Sequence, residues 1–105
     1  MKTIWKFNIE VDDNISIDMP KDSEILTVQD QEGKIQLWAL CDSDKEKETR
    51  YFEIYGTGHP VREGVKKYIG TFQMRDGRLI FHLFEKIEDL RRVISMSGLV
   101  RGADK

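Results

Sequence analysis

The stretch KYIGTFQMRDGRLIFHLF, residues 67–84, decides the fold class. Two runs that alternate with period two, Lys67–Met74 and Arg78–Phe84, flank Arg75-Asp76-Gly77, a polar turn ending in a glycine free to take positive φ. This pattern predicts an antiparallel hairpin. In its second run Leu79, Phe81 and Leu83 share one face, while Ile80, His82 and Phe84 share the other. Both faces are apolar except at His82, so this strand is expected to be central or covered on its second side.

The same period continues toward the N-terminus. Thr3, Trp5, Phe7 and Ile9 alternate with Ile4, Lys6 and Asn8, and Ile15, Ile17 and Met19 form a second strand stopped by Pro20. Asp12-Asp13-Asn14 between them is a turn signal and predicts that these two strands pair as a hairpin. Glu24–Asp30 and Lys34–Cys41 flank Gln31-Glu32-Gly33, and the second run puts Gln36, Trp38 and Leu40 opposite Ile35, Leu37 and Ala39. Trp38 is therefore expected on a half-covered surface. A charged loop over 42–48 precedes a fifth strand, Arg50–Tyr55.

Beyond Phe84 the period changes. Ile87, Leu90, Val93, Ile94 and Ser97 recur at helical spacing, acidic residues come first, Arg91 and Arg92 later, and Gly98 is placed as a stop. This predicts one amphipathic helix, Ile87–Met96. The expected fold is mainly β, with about seven antiparallel strands in a small sandwich or barrel and one C-terminal α-helix. Residues 1–85 would form the β-rich part and residues 86–105 an extension of the same domain. Ile87, Leu90, Arg91, Val93 and Ile94 are candidate interface residues, covering either the β-domain or another chain. A homodimer and a monomer are equally compatible with this pattern.

The chain has 105 residues, a length suited to one core. At 39% hydrophobic and 34% charged it lies far from the composition of disordered chains. Its 17 basic and 19 acidic residues leave a net charge of −2, without the basic excess of a dedicated nucleic-acid binder, so a nucleic-acid partner is not expected. That total conceals an uneven distribution: residues 1–30 carry −4, residues 31–58 carry −2 and residues 59–105 carry +4. A basic face could meet an anionic partner, or the two signs could mix on one surface. The single cysteine, Cys41, excludes an internal disulfide and points to a reducing compartment. No secretory leader or membrane-length apolar run is present, so a cytoplasmic protein without membrane association is expected.

Enzyme chemistry is sparse. The spacings HxH, HExxH and CxxC do not occur, so neither a metal nor another cofactor is expected. A Cys41–Asp42–His82 grouping is not required by any spacing, and a non-enzymatic protein is the expectation. The segment with unusual local chemistry is YGTGHP, residues 55–60. Gly56 and Gly58 would let backbone N–H groups converge on an anion, Thr57 and His59 would add directional hydrogen bonds, and Arg62 follows. With Tyr55 or Trp38 as a stacking surface, these residues form a candidate site for a nucleotide-like ligand. The competing reading is an irregular turn between the fifth and sixth strands. Tyr55, Tyr68 and Arg62 are also the best candidates for a patch that stacks single-stranded nucleic acid.

Five separated blocks, KTIWKF (2–7), MPKDSEILTVQDQEGKIQLWAL (19–40), FEIYGTGHP (52–60), YIGTFQ (68–73) and FHLFE (81–85), resemble a group of small phage- and prophage-associated bacterial proteins of unknown function. The resemblance spans Met1–Glu85 and implies a single β-rich domain of viral or prophage origin. It supplies no activity and no catalytic residues. Two tasks are compatible with it: binding a host protein, with inhibition of an antiviral defence component, or sequestering a nucleotide-like signal through residues 55–62. A nucleic-acid-associated accessory role is a third.

Overall fold

The computed structural model describes residues 1–12 and 14–87, which form seven strands and, among the described residues, no helix. They are β1 (Lys2–Ile9), β2 (Ile15–Pro20), β3 (Glu24–Gln31), β4 (Lys34–Asp42), β5 (Lys47–Gly56), β6 (Lys66–Met74) and β7 (Leu79–Lys86). All pairings are antiparallel, in two sheets of order β1-β4-β3 and β2-β5-β7-β6. The architecture is a sandwich. Among the described residues no ladder joins the two sheets, so the alternative of a closed barrel is corrected.

The hairpin of residues 67–84 forms as expected, with Met74 opposite Leu79, and Arg75, Asp76 and Gly77 all at positive φ. β7 is central between β5 and β6; Phe81 and Leu83 face the core, and on its other face Phe84 packs against Tyr55 and Tyr68 while Ile80 stays exposed. The turn at Glu32-Gly33, also at positive φ, joins β3 to β4 as the sequence predicts. The expected pairing of β1 with β2 does not occur: β1 pairs with β4, and β2 with β5. Both strands direct their apolar side chains, Phe7 and Ile9 from β1 and Ile15, Ile17 and Met19 from β2, into one core from opposite sheets. The chain between Ile9 and Ile15 therefore passes from one sheet to the other. Polar turn residues serve a corner as well as a hairpin.

The core collects Ile9, Val28, Ile35 and Leu37 from the first sheet and Ile15, Met19, Phe52, Phe72 and Leu83 from the second. The sheets come closest where β3 meets β6. There Gly70, beside a register shift in β6, leaves room for Val28: a Cβ added to Gly70 would lie 3.2 Å from the Val28 Cγ1. Gly70→Val should destabilise the fold by about 1–3 kcal/mol through overpacking of this corner. Chemical denaturation would measure it, and an unchanged midpoint would show that the corner can open.

β5 begins at Lys47 rather than Arg50, because Glu48 and Lys47 pair with Met19 and Pro20 of β2. The predicted helix, with Leu90, Arg91, Val93 and Ile94, lies outside the described residues. Its first residue, Ile87, is described and is not helical; its N–H donates to the Val65 carbonyl. No helix among the described residues is long and apolar enough to cross a membrane.

Candidate functional site

The second sheet carries the polar residues of interest on its outer face. Inward-facing Phe52 and Ile54 alternate along β5 with Glu53 and Tyr55, and the β7 residues opposite these two are Phe84 and His82. Over them folds the connection from Gly56 to Val65. Glu53 is 4% exposed on its side chain and accepts a hydrogen bond from Lys66 Nζ at 2.9 Å and another from the Tyr55 hydroxyl at 2.8 Å. Arg62 Nε lies 3.4 Å from its second oxygen. The Tyr55 hydroxyl in turn accepts from the Arg62 N–H at 3.1 Å, and Lys66 Nζ also bonds the Arg62 carbonyl. Arg62 and Lys66 both lie within 6 Å of the Tyr55 ring centroid. One buried carboxylate and one tyrosine thus fasten the loop to the sheet.

Burial works against the charged form of Glu53, but hydrogen bonds from Lys66 and Tyr55 and the charges of Lys66 and Arg62 outweigh it. Its carboxyl is held below the ordinary value of 4.5. Ionised Glu53 therefore stabilises the fold above about pH 4.5, and this contribution is lost as the pH falls through the lower folded value. Unfolding midpoints should drop between about pH 5 and pH 3, and Glu53→Gln should flatten that drop. A residual slope will remain, because hydrogen bonds to Asp22 from Lys45 and to Asp42 from the Asp44 N–H lower those surface carboxyls as well. An unchanged slope in Glu53→Gln would show that the cluster does not couple to folding.

Beside this clamp runs a chain of side-chain hydrogen bonds. His82 Nε2 lies 2.7 Å from the Thr57 hydroxyl, His82 Nδ1 lies 2.9 Å from the Thr71 hydroxyl, and Thr71 meets the Tyr68 hydroxyl at 2.5 Å. Tyr68 and Tyr55 both pack edge-on to Phe84. Hydroxyls on both ring nitrogens orient His82, without the carboxylate that a catalytic triad would place there. Cys41 faces the interior from the other sheet, 1% exposed, with its thiol directed at the Ala39 carbonyl. The imagined Cys41–Asp42–His82 grouping is therefore not assembled.

Of the candidate residues, Tyr55, Gly56, His59 and Arg62 line an open cleft of about 500 Å³, together with Pro60, Ile54, Phe81, Val11 and Asp12, whereas Thr57 and Gly58 are not part of its lining. The hydrogen bonds of the loop, however, point inward. The Thr57 N–H donates to the Ile80 carbonyl, the His59 N–H to the Gly56 carbonyl and the Arg62 N–H to Tyr55. The His59 ring packs over Gly56, within 3.2 Å of where a Cβ would stand. Gly58 takes φ +89°. Backbone donors that could converge on an anion are thus largely used in closing the turn. Trp38 is not brought to this cleft: it is half-buried on the outer face of the first sheet, beside Lys6 and Thr27.

Glu53, Lys66 and Thr71 were not singled out from the sequence. The available signal was parity: Glu53 is two residues from Tyr55 and so shares its face, and a carboxylate there needs a cation. Lys66 offered no local mark, because the loop that returns it to Glu53 has no regular period.

Fold and site together define an antiparallel β-sandwich domain with a clamped surface loop. Residues 1–92 match the family described as Domain of unknown function (DUF7352), and the chain belongs to that family. No curated protein and no solved structure matches the chain.

Proposed function

We infer that this chain is a non-enzymatic accessory protein of phage type that acts in the host cytoplasm by binding a host protein, with inhibition of an antiviral defence component as its task. The observation that carries the binding role is the outer face of the β1-β4-β3 sheet. Ile4 is 59% exposed and Leu26, at the β3 bulge, 45% exposed. Leu40 is directly opposite Ile4, and half-buried Trp38 follows on the same face. Aromatic and aliphatic side chains grouped on an otherwise polar sheet are the usual anchors of a protein interface. The phage and host-defence parts rest on the sequence resemblance. The amphipathic pattern of Ile87, Leu90, Arg91, Val93 and Ile94 offers a second interface element.

Affinity capture from bacterial lysate tests this reading. Wild-type protein should retain a discrete partner, and Leu26→Glu combined with Trp38→Gln should release it, while Tyr51→Glu on the other sheet should not. Equal capture by all three, or capture by none, would contradict it.

A second reading, sequestration of a nucleotide-like signal, is favoured by the cleft beside His59 and Arg62. Nucleotides and cyclic dinucleotides should then raise the unfolding temperature, and His59→Ala should abolish the rise. The inward hydrogen bonds of the loop make this the weaker reading.

A further inference from the structure

A sandwich of two open sheets has four edge strands, here β1, β3, β2 and β6. Edge strands present unpaired N–H and C=O groups, and proteins usually blunt them. Three of these edges carry such a device. β2 is six residues long and ends in Pro20; β3 has a bulge between Ile25 and Thr27; β6 has one between Tyr68 and Gly70. β3 and β6 also approach one another. β1 differs: eight residues, KTIWKFNI, paired in unbroken register with β4 on one side and with no strand among the described residues on the other.

The register shows which groups that free edge offers. The Ser43 N–H donates to the Met1 carbonyl at the end of the β1–β4 ladder. Residues of an antiparallel strand alternate between partners, so odd-numbered residues of β1 bond β4, and Lys2, Ile4, Lys6 and Asn8 direct N–H and C=O outward.

We propose that β1 is a dimerisation edge, and that it pairs antiparallel with β1 of a second copy about a two-fold axis through Trp5. Two constraints select this partner and register. A continuous sheet must keep core-facing side chains on one side, so only registers that pair odd with odd and even with even residues are allowed. Among these, sliding by one allowed step in one direction sets Lys2 against Lys6 of the second copy, and in the other direction sets Lys6 against its own copy. Like charges directly opposite one another are unfavourable. The register centred on Trp5 avoids both: Ile4 meets Lys6, Lys2 meets Asn8, and Thr3 meets Phe7. Its bonded pairs use the outward-facing even residues. Half-buried Trp5 meets its symmetry mate at a non-bonded position, where cross-strand side chains come closest. The result joins two three-stranded sheets into one and places the two apolar outer faces side by side. The interface is isologous and closes at two copies.

Sedimentation velocity on the purified full chain across a concentration series tests this. Wild type should sediment at twice the monomer mass at the upper concentrations. Ile4→Lys, a change at an exposed position, would place a lysine opposite Lys6 and should give a monomer with an unchanged circular dichroism spectrum. Adding Lys6→Glu to Ile4→Lys should restore the dimer, because opposite charges then face each other across the two-fold. A wild type that stays monomeric throughout overturns the proposal, as does a dimer indifferent to Ile4→Lys or a double variant that stays monomeric. No host partner is needed for this measurement, so its outcome is separate from that of the binding role.

Discussion

Arg50→Ala should destabilise the fold by about 3–5 kcal/mol, the cost of leaving a buried ion without its partner. Arg50 and Glu85 lie at the edge of the core with side chains 18% and 11% exposed, joined by two parallel bonds, Nε to Oε2 at 2.6 Å and Nη2 to Oε1 at 2.8 Å. The third guanidinium nitrogen donates to the Ser23 carbonyl at 2.6 Å. One side chain thus ties β5 to β7 and to the β2–β3 turn. Such fork geometry is available to arginine and not to lysine, so Arg50→Lys should recover only part of the loss. Glu85→Ala should cost a similar amount. The paired replacement Arg50→Met with Glu85→Leu should cost less than either alanine variant, because neither charge is then stranded. Urea unfolding of the set measures this. Single variants within about 0.5 kcal/mol of wild type, the range of ordinary surface changes, would show that water reaches the pair.

Glu53→Ala is the second large effect, and it acts on the loop as well as on the fold. Removing the carboxylate leaves half-buried Lys66 without its counter-charge and takes an acceptor from Tyr55. A loss of about 3 kcal/mol is expected from breaking one side of a buried ion pair. The Gly56–Val65 connection should then open, since Glu53 is the point on the sheet to which Arg62, Lys66 and Tyr55 all converge. Limited proteolysis should cut Glu53→Ala within residues 57–65 much faster than wild type. Glu53→Gln, which keeps an acceptor but not the charge, should lie between. Resistance of the alanine variant equal to that of wild type would mean that other contacts hold the loop.

The strands were legible because a half-buried strand writes its two faces directly into alternation: Phe7 and Ile9 inward, Lys6 and Asn8 outward. The hairpins at Gly33 and Gly77 were legible because glycine and positive φ mark a local turn. The partners of β1 and β2 were not, since pairing Trp5 with Ala39 or Ile15 with Phe52 is decided by packing between residues far apart in the chain. The same limit applies to the site. YGTGHP stood out by composition, yet what holds it is Glu53, a residue with nothing unusual nearby in sequence. Its role depends on a loop that brings Lys66 back over the strand. Arg50 and Glu85 carry no local signature either, being 35 residues apart.

Site-specific photocrosslinking in bacterial host cells shows whether the outer face of the β1-β4-β3 sheet docks on another protein. A photoreactive amino acid in place of Leu26, at the β3 bulge beside that face, should give a discrete heterologous adduct, while the same group in place of Tyr51 on the opposite sheet should give none. An adduct from position 51 alone, or from neither position, would contradict the claim.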